Sequence, residues 1–301
     1  MYSKKELLTF SILQTYSEGR YAKILQRLFS FSKDGSYNIF SDSFHEEVSL
    51  MEEEKQKLGF LWEEPCIQEI QEEIKKIEEY CHQNQIQILF YGEKDYPDCF
   101  QNIKNPPYVL YKKGKFPEKV HLENSFAIVG SRDCSERGKE FAKKAGQYFQ
   151  KKKIYNVSGL ARGIDSIGHM ETLGQTGAVL GQGLGTEIYP KENKDLASRI
   201  LETGGFLLSE LPPFVPVSVQ HLIQRNRLQT ALTSGIVIAE IALQGGTMHT
   251  FHFAKEQGKK VYVASFNQNF IQKYYKELIV LEDIHQFEKK QKEGLEQKSL
   301  F

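Results

Sequence analysis

Ser158-Gly159-Leu160-Ala161-Arg162-Gly163-Ile164-Asp165 is the stretch on which the reading of this chain turns. The apolar run Ile154-Tyr155-Asn156-Val157 enters it, and an amphipathic run ending near Leu173 leaves it. That order predicts a strand, a small-residue turn and a helix. Ser158, Gly159 and Gly163 let backbone N–H groups approach a ligand closely. Arg162, between the glycines, offers a planar and permanently charged fork suited to phosphate. The N-terminus of the following helix adds positive dipole. The same glycines would equally serve only to tighten a strand–helix turn.

The grammar repeats from residue 125 onward. Short apolar runs at 126–129, 154–157, 178–180, 206–208, 235–238 and 261–263 alternate with helical stretches. Such strands belong to a parallel sheet covered on both faces. The predicted fold class is therefore α/β, an extended Rossmann-like parallel sheet with an N-terminal helical domain. Ligands in such folds bind beyond the carboxyl ends of the strands.

Gly130-Ser131-Arg132 follows the first strand, without the glycine spacing of a dinucleotide fingerprint. Gly181-Gln182-Gly183-Leu184-Gly185 follows the third, but Tyr189-Pro190 stands where a helix should begin, so it reads as a permissive loop. Ser209-Glu210 and a proline-rich turn at 212–216 follow the fourth, and then Arg225-Asn226-Arg227. Two arginines flanking an amide can clamp consecutive phosphates, or can pair with acids on a helix surface. Glu240 and Gln244-Gly245-Gly246-Thr247 follow the fifth, a second glycine turn able to turn N–H groups toward an anion. Convergence on one edge would gather Arg132, Arg162, Arg225 and Arg227 into a strip that suits single-stranded nucleic acid.

That strip must be local, because 39 Lys+Arg balance 39 Asp+Glu across the 301 residues. A 40% hydrophobic and 26% charged composition is that of an ordinary soluble protein. No stretch approaches membrane-span length, and the first residues lack a signal-peptide pattern. Cys66, Cys81, Cys99 and Cys134 form no CxxC pair. A cytoplasmic location is expected. Residues 1–85 read as a helical N-terminal domain: Leu7, Leu8, Ile12 and Leu13 recur at helical spacing, as do Tyr21, Ile24, Leu25 and Leu28. Two further helices are expected over 42–59 and 66–84, with Glu52, Glu53 and Glu54 on a solvated face. Residues 86–270 form the α/β domain, in which 86–91 and 108–111 are extra strands beside the main sheet. Residues 271–301 read as a helical run and a charged tail.

Few groups suggest chemistry. Asp165 and His169, four apart, share a helix face and could form a base; an Asp–His hydrogen bond or a helix cap is the structural alternative. His249, His252 and Glu256 lack the HExxH order, and Glu240 lacks a partner acid. No catalytic residue, metal or cofactor is expected.

Together, Gly130-Ser131-Arg132, the run from Ser158 to Asp165 with His169, and Arg225-Asn226-Arg227 resemble the DNA-processing protein A (DprA, also called Smf) family. Tyr96-Pro97, Pro106-Pro107, Leu110-Tyr111, Gly114 and Ser209-Glu210 fit its pattern too, so the resemblance spans about residues 86–265. It implies a non-enzymatic, homodimeric protein that binds single-stranded DNA irrespective of sequence. Such a protein protects incoming strands in natural transformation and loads the recombinase RecA. By position, Arg132, Arg162, Arg225 and Arg227 would hold phosphates. Gly130, Ser131, Ser158, Gly159, Gly163, Gly245, Gly246 and Thr247 would offer backbone or hydroxyl donors, with Asn226 between the two last arginines. The chain departs from the pattern at His221-Leu222, where the family usually reads His-Phe, and at the Gly245-Gly246-Thr247 turn, usually serine-rich. Two other functions stay open: a LOG-like nucleotide phosphoribohydrolase, whose proline, later glycine and glutamate are absent here, and a specialised relative in phage defence.

Overall fold

The computed structural model describes residues 4–16, 64–117 and 122–296. The run at 21–28, the helix expected over 42–59 and the glutamates at 52–54 lie outside them. Helices α1 (Lys4–Tyr16) and α2 (Glu64–Gln83) precede strands β1 (Ile86–Phe90) and β2 (Val109–Gly114). The alternating part then runs β3 (Ser125–Gly130), α3 (Glu136–Lys152), β4 (Tyr155–Ser158), α4 (Ile164–Glu171), β5 (Thr176–Val179), α5 (Lys194–Glu202), β6 (Phe206–Ser209), α6 (Val219–Ala231), β7 (Gly235–Glu240), α7 (Gly246–Glu256) and β8 (Lys260–Ala264). It ends with α8 (Gln268–Tyr274), β9 (Ile279–Leu281) and α9 (Phe287–Glu296).

One sheet contains nine strands in the order β1-β2-β6-β5-β4-β3-β7-β8-β9. β1 and β2 run antiparallel to each other, and β2 antiparallel to β6, whereas every pairing from β6 to β9 is parallel. The fold is α/β and Rossmann-like, as the alternation of runs predicts. The ninth strand is a difference. Ile279-Val280-Leu281 pairs with β8 inside the segment read as a helical and charged tail. Phe287, at the start of α9, is fully buried against Phe126 and Tyr262.

Strand periodicity explains the two-sided core. Phe126 and Ile128 of β3 point to the face covered by α3, where they meet Phe141, Ala145 and Phe149. Ala127 and Val129 point to the opposite face, against Met248, Phe251 and Ala254 of α7. Burying a side chain such as Phe126 contributes about 1.5–3 kcal/mol. On the antiparallel flank, Leu7, Leu8 and Phe10 of α1 and Ile70, Ile74 and Ile77 of α2 share one cluster with Ile86, Phe90 and Tyr111.

The strand order places the site. From β3 the chain moves outward through β4, β5 and β6, then returns to lay β7 on the other side of β3. The topological switch point thus falls between β3 and β7, where their carboxyl ends leave a crevice.

Candidate functional site

That crevice is a cleft of about 670 Å³. Gly130, Ser131 and Arg132 leave β3 on one side of it, and Gln244, Gly245, Gly246 and Thr247 enter α7 on the other. Ala161 and Asp165 come from the turn after β4, and Arg225, Asn226 and Gln229 from α6. Arg162 lies just beyond, sharing a narrow recess with Arg132, Arg225, Gly181 and Tyr189. Gly130 and Thr247, 117 positions apart, therefore line one cleft, and three of the four predicted arginines line one continuous depression.

Arg132 is exposed and Arg162 half-exposed, the latter 3.9 Å from Glu192 at the cleft rim. A pair that long and that wet binds weakly, leaving Arg162 available to a phosphate. Arg225 is different. It is only 6% exposed, and its Nη1 donates to the Val179 carbonyl at the end of β5. Its buried Nε has no hydrogen-bond partner. Burial lowers its pKa to about 10, opposed by the Asp165 carboxylate. Asp165, also buried, is pushed up to about 6 by desolvation, while Arg225 and backbone hydrogen bonds at Ala161 and Gly130 act the other way. The floor of the cleft is thus a desolvated acid–guanidinium pair whose charges are incompletely compensated.

The glycines of the turn have steric reasons. A Cβ on Gly159 would lie 2.2 Å from Arg225 Nη1 and 2.6 Å from Asp165 Oδ2. Gly163 has φ +76°, and a Cβ there would meet the backbone oxygens of Arg132 and Ser131 at 2.4 and 2.5 Å. By contrast, Cβ atoms on Gly245 and Gly246 would meet nothing within 4 Å.

Several predicted donors are occupied instead. The Ser158 hydroxyl is fully buried and donates to the Ile128 carbonyl across the sheet at 2.8 Å. The Ser131 N–H donates to the Glu240 carbonyl at 2.9 Å. The Ile164 N–H, at the start of α4, donates to the Ser131 carbonyl. The strip of four guanidinium groups is corrected to three. Arg227 grips Glu210 with both Nη atoms, at 2.7 and 2.6 Å, and donates to the Asn105 carbonyl. Residues two apart on a helix project to nearly opposite sides, so Arg225 reaches the cleft while Arg227 staples α6 to the segment before β2.

Asp165 and His169 do not pair. His169 Nε2 lies 2.5 Å from the Gly159 carbonyl, and Nδ1 2.7 Å from the Thr176 hydroxyl. A carbonyl only accepts, so the proton sits on Nε2, and burial holds the pKa down at about 4. This neutral ring braces the turn. Glu240 accepts from the Ser135 N–H at 3.1 Å and from the Ser135 hydroxyl, closing the N-terminus of α3, so it is not poised as a base. His252 packs against Phe251 and Tyr274, and among the described residues no three His, Cys, Asp or Glu side chains are grouped to hold a metal. No helix of the described residues is long and apolar enough to cross a membrane. Sequence reasoning missed the apolar lining, Val219, Leu222 and Ile223 of α6 with Tyr189; the one signal for it was the departure at Leu222.

Fold and site together define a Rossmann-like α/β protein with a cationic cleft at its topological switch point. The family model for DNA recombination-mediator protein A matches residues 87–279, and the chain belongs to that family. It is 36% identical over 172 residues to protein Smf of Escherichia coli K12, covering 56% of this chain and 45% of the relative. It is 36% identical over 175 residues to DNA processing protein DprA of Streptococcus pneumoniae R6, covering 56% and 58%. The chain thus spans about half the length of these relatives. Among solved structures, DNA processing protein A from Helicobacter pylori, described for its unique single-stranded DNA binding mode, superposes with a TM-score of 0.61. The identity is 25%, over 67% of this chain and 94% of that one. DprA from Streptococcus pneumoniae superposes with a TM-score of 0.71 over 95% of this chain and 97% of that one; at 22% identity this concerns the fold alone.

Proposed function

We propose that this protein binds single-stranded DNA in the cleft between the ends of β3 and β7, without regard to sequence. The observation that carries the reading is the meeting of Arg132, Arg162 and Arg225 with the open N-terminal turn of α7 at Gly245-Gly246-Thr247. Guanidinium groups and free N–H groups along a groove grip a phosphodiester backbone and need no base-specific contact. Gly130 and Ser131 line the cleft, and Asn226 lies beside Arg225 as a neutral donor. Gly159 and Gly163 act beneath the lining by leaving room for Arg225 and for the Ser131–Arg132 backbone, and Ser158 is buried against Ile128. The Helicobacter pylori relative, with its single-stranded DNA binding mode, supports the same ligand class. In this reading the protein acts in recombination in the cytoplasm as a homodimer, shielding incoming single strands and passing them to RecA. It performs no catalysis of its own.

Fluorescence anisotropy with labelled oligo-dT across a salt series tests the reading. Affinity should be micromolar or tighter and higher than for duplex of equal length. Three phosphate contacts should give log K a slope of about −2 against log salt. No binding, or equal affinity for duplex, would refute it.

A further inference from the structure

We propose that Tyr189 is the base-stacking surface of this cleft and the source of its preference for single strands; the inference rests on the DNA-binding reading above. Tyr189 is the only Phe, Tyr or Trp among the described residues lining either the cleft or the recess beside it. In the recess it stands with Arg132, Arg162 and Arg225, so a phosphate held there would bring its own base within reach of the ring. Tyr189 is 42% exposed and stands at the mouth of the recess, open to a ligand in it.

The chain around it is firmly held. The Tyr189 N–H donates to Gln182 Oε1 at 2.9 Å. Gln182, 2% exposed, donates through Nε2 to the Thr186 hydroxyl at 2.7 Å and the Glu187 carbonyl at 2.6 Å. Gly183 and Gly185 donate to the carbonyls of Val215 and Pro213, both at 2.8 Å. A buried amide thus ties the loop across its own width, and two further bonds tie it to the proline-rich segment. The ring is presented by a fixed backbone, so little ordering entropy opposes stacking.

Val219, Leu222 and Ile223 continue the apolar surface along the cleft, and Val219 is 75% exposed. The cleft therefore has two unlike sides: guanidinium and N–H groups toward the sheet ends, aromatic and aliphatic groups toward α6 and the loop. A single strand has phosphates for one and unpaired bases for the other. In a duplex the base faces are already stacked and the apolar side meets nothing.

The test uses the full chain, labelled oligo-dT and an abasic strand of the same length. Stacking on one aromatic is worth enough that Tyr189→Ala should weaken oligo-dT binding by about 5- to 150-fold. Tyr189→Phe keeps the π face and should bind within about twofold of wild type; Tyr189→Leu keeps bulk alone and should behave like the alanine variant. On the abasic strand all four proteins should bind equally, because no base is present. Tyr189→Ala binding oligo-dT as well as wild type does, or losing equally on both strands, would overturn the assignment. Wild type that fails to bind oligo-dT would overturn the DNA-binding reading and this inference with it.

Discussion

A single added methyl group at Gly159 tests whether the floor of the cleft is as tightly built as the geometry requires. In Gly159→Ala the new Cβ would sit 2.2 Å from Arg225 Nη1 and 2.6 Å from Asp165 Oδ2, where ordinary contact begins near 3.4 Å. The guanidinium must retreat by about 1 Å. Because Arg225 is 6% exposed, its retreat cannot be into open solvent. The bond from Nη1 to the Val179 carbonyl breaks, and the Asp165 carboxylate loses the charge that offsets its burial. Overpacking of this kind costs about 1–3 kcal/mol, and a charged hydrogen bond about 1.5–3 kcal/mol. The two describe one displacement and do not add, so a loss of about 2 kcal/mol is expected, or roughly 5 °C in Tm. Oligo-dT affinity of the folded protein should fall by about tenfold or more, since Arg225 would no longer face the cleft. Urea denaturation and anisotropy measure the two effects. Gly245→Ala is the control: its Cβ meets nothing, and stability should stay within about 0.5 kcal/mol. If Gly159→Ala were as stable and bound as tightly as wild type, the idea of a preorganised Arg225 wall would be wrong.

Other perturbations separate binding from bracing. Arg132→Ala removes an exposed guanidinium, so stability should be unchanged within about 0.5 kcal/mol while the salt slope of oligo-dT binding falls by about 0.7. Arg227→Ala should do the opposite. Breaking the bidentate pair with Glu210 should cost about 3 kcal/mol in chemical denaturation, leave the salt slope unchanged, and not be rescued by lysine. Acid stability should reflect two opposed buried groups. His169, held down at about 4, is protonated in the unfolded chain first, so its contribution to stability is lost as pH falls from about 6.5 to 4. Asp165, held up at about 6, takes its proton first in the folded protein, so its unfavourable burial is relieved between about pH 6 and 4. Asp165→Asn should therefore steepen the loss of stability between pH 6.5 and 4 in urea titrations; an unchanged slope would mean that Asp165 is ordinarily ionised.

How much of this was legible beforehand depended on range. Strands β3 to β8 could be read because each contains or overlaps a short apolar run between helical periods, a signal carried by neighbours in sequence. β9 could not: three residues, Ile279-Val280-Leu281, are too short to show a period, and only pairing to β8 makes them a strand. The Arg225-Asn226-Arg227 spacing already argues against two arginines in one groove. On a helix, residues two apart diverge, so at most one of those arginines could face any given groove.

Local chemistry belongs to the sequence alone: strand, turn and helix at residues 154–173, glycines wherever backbone must pass close, and arginines stationed after strands. Those features follow from side-chain size, charge and short-range periodicity, which act within a few residues. Tertiary structure decided which of them meet. Packing β7 against β3 put residues 130–132 opposite 244–247, and the partners of Arg227, Ser158 and Glu240 were chosen by pairings across the sheet and between helices. A buried charge or hydroxyl takes whatever partner the fold brings within hydrogen-bonding distance, and that proximity exists only once the chain has folded.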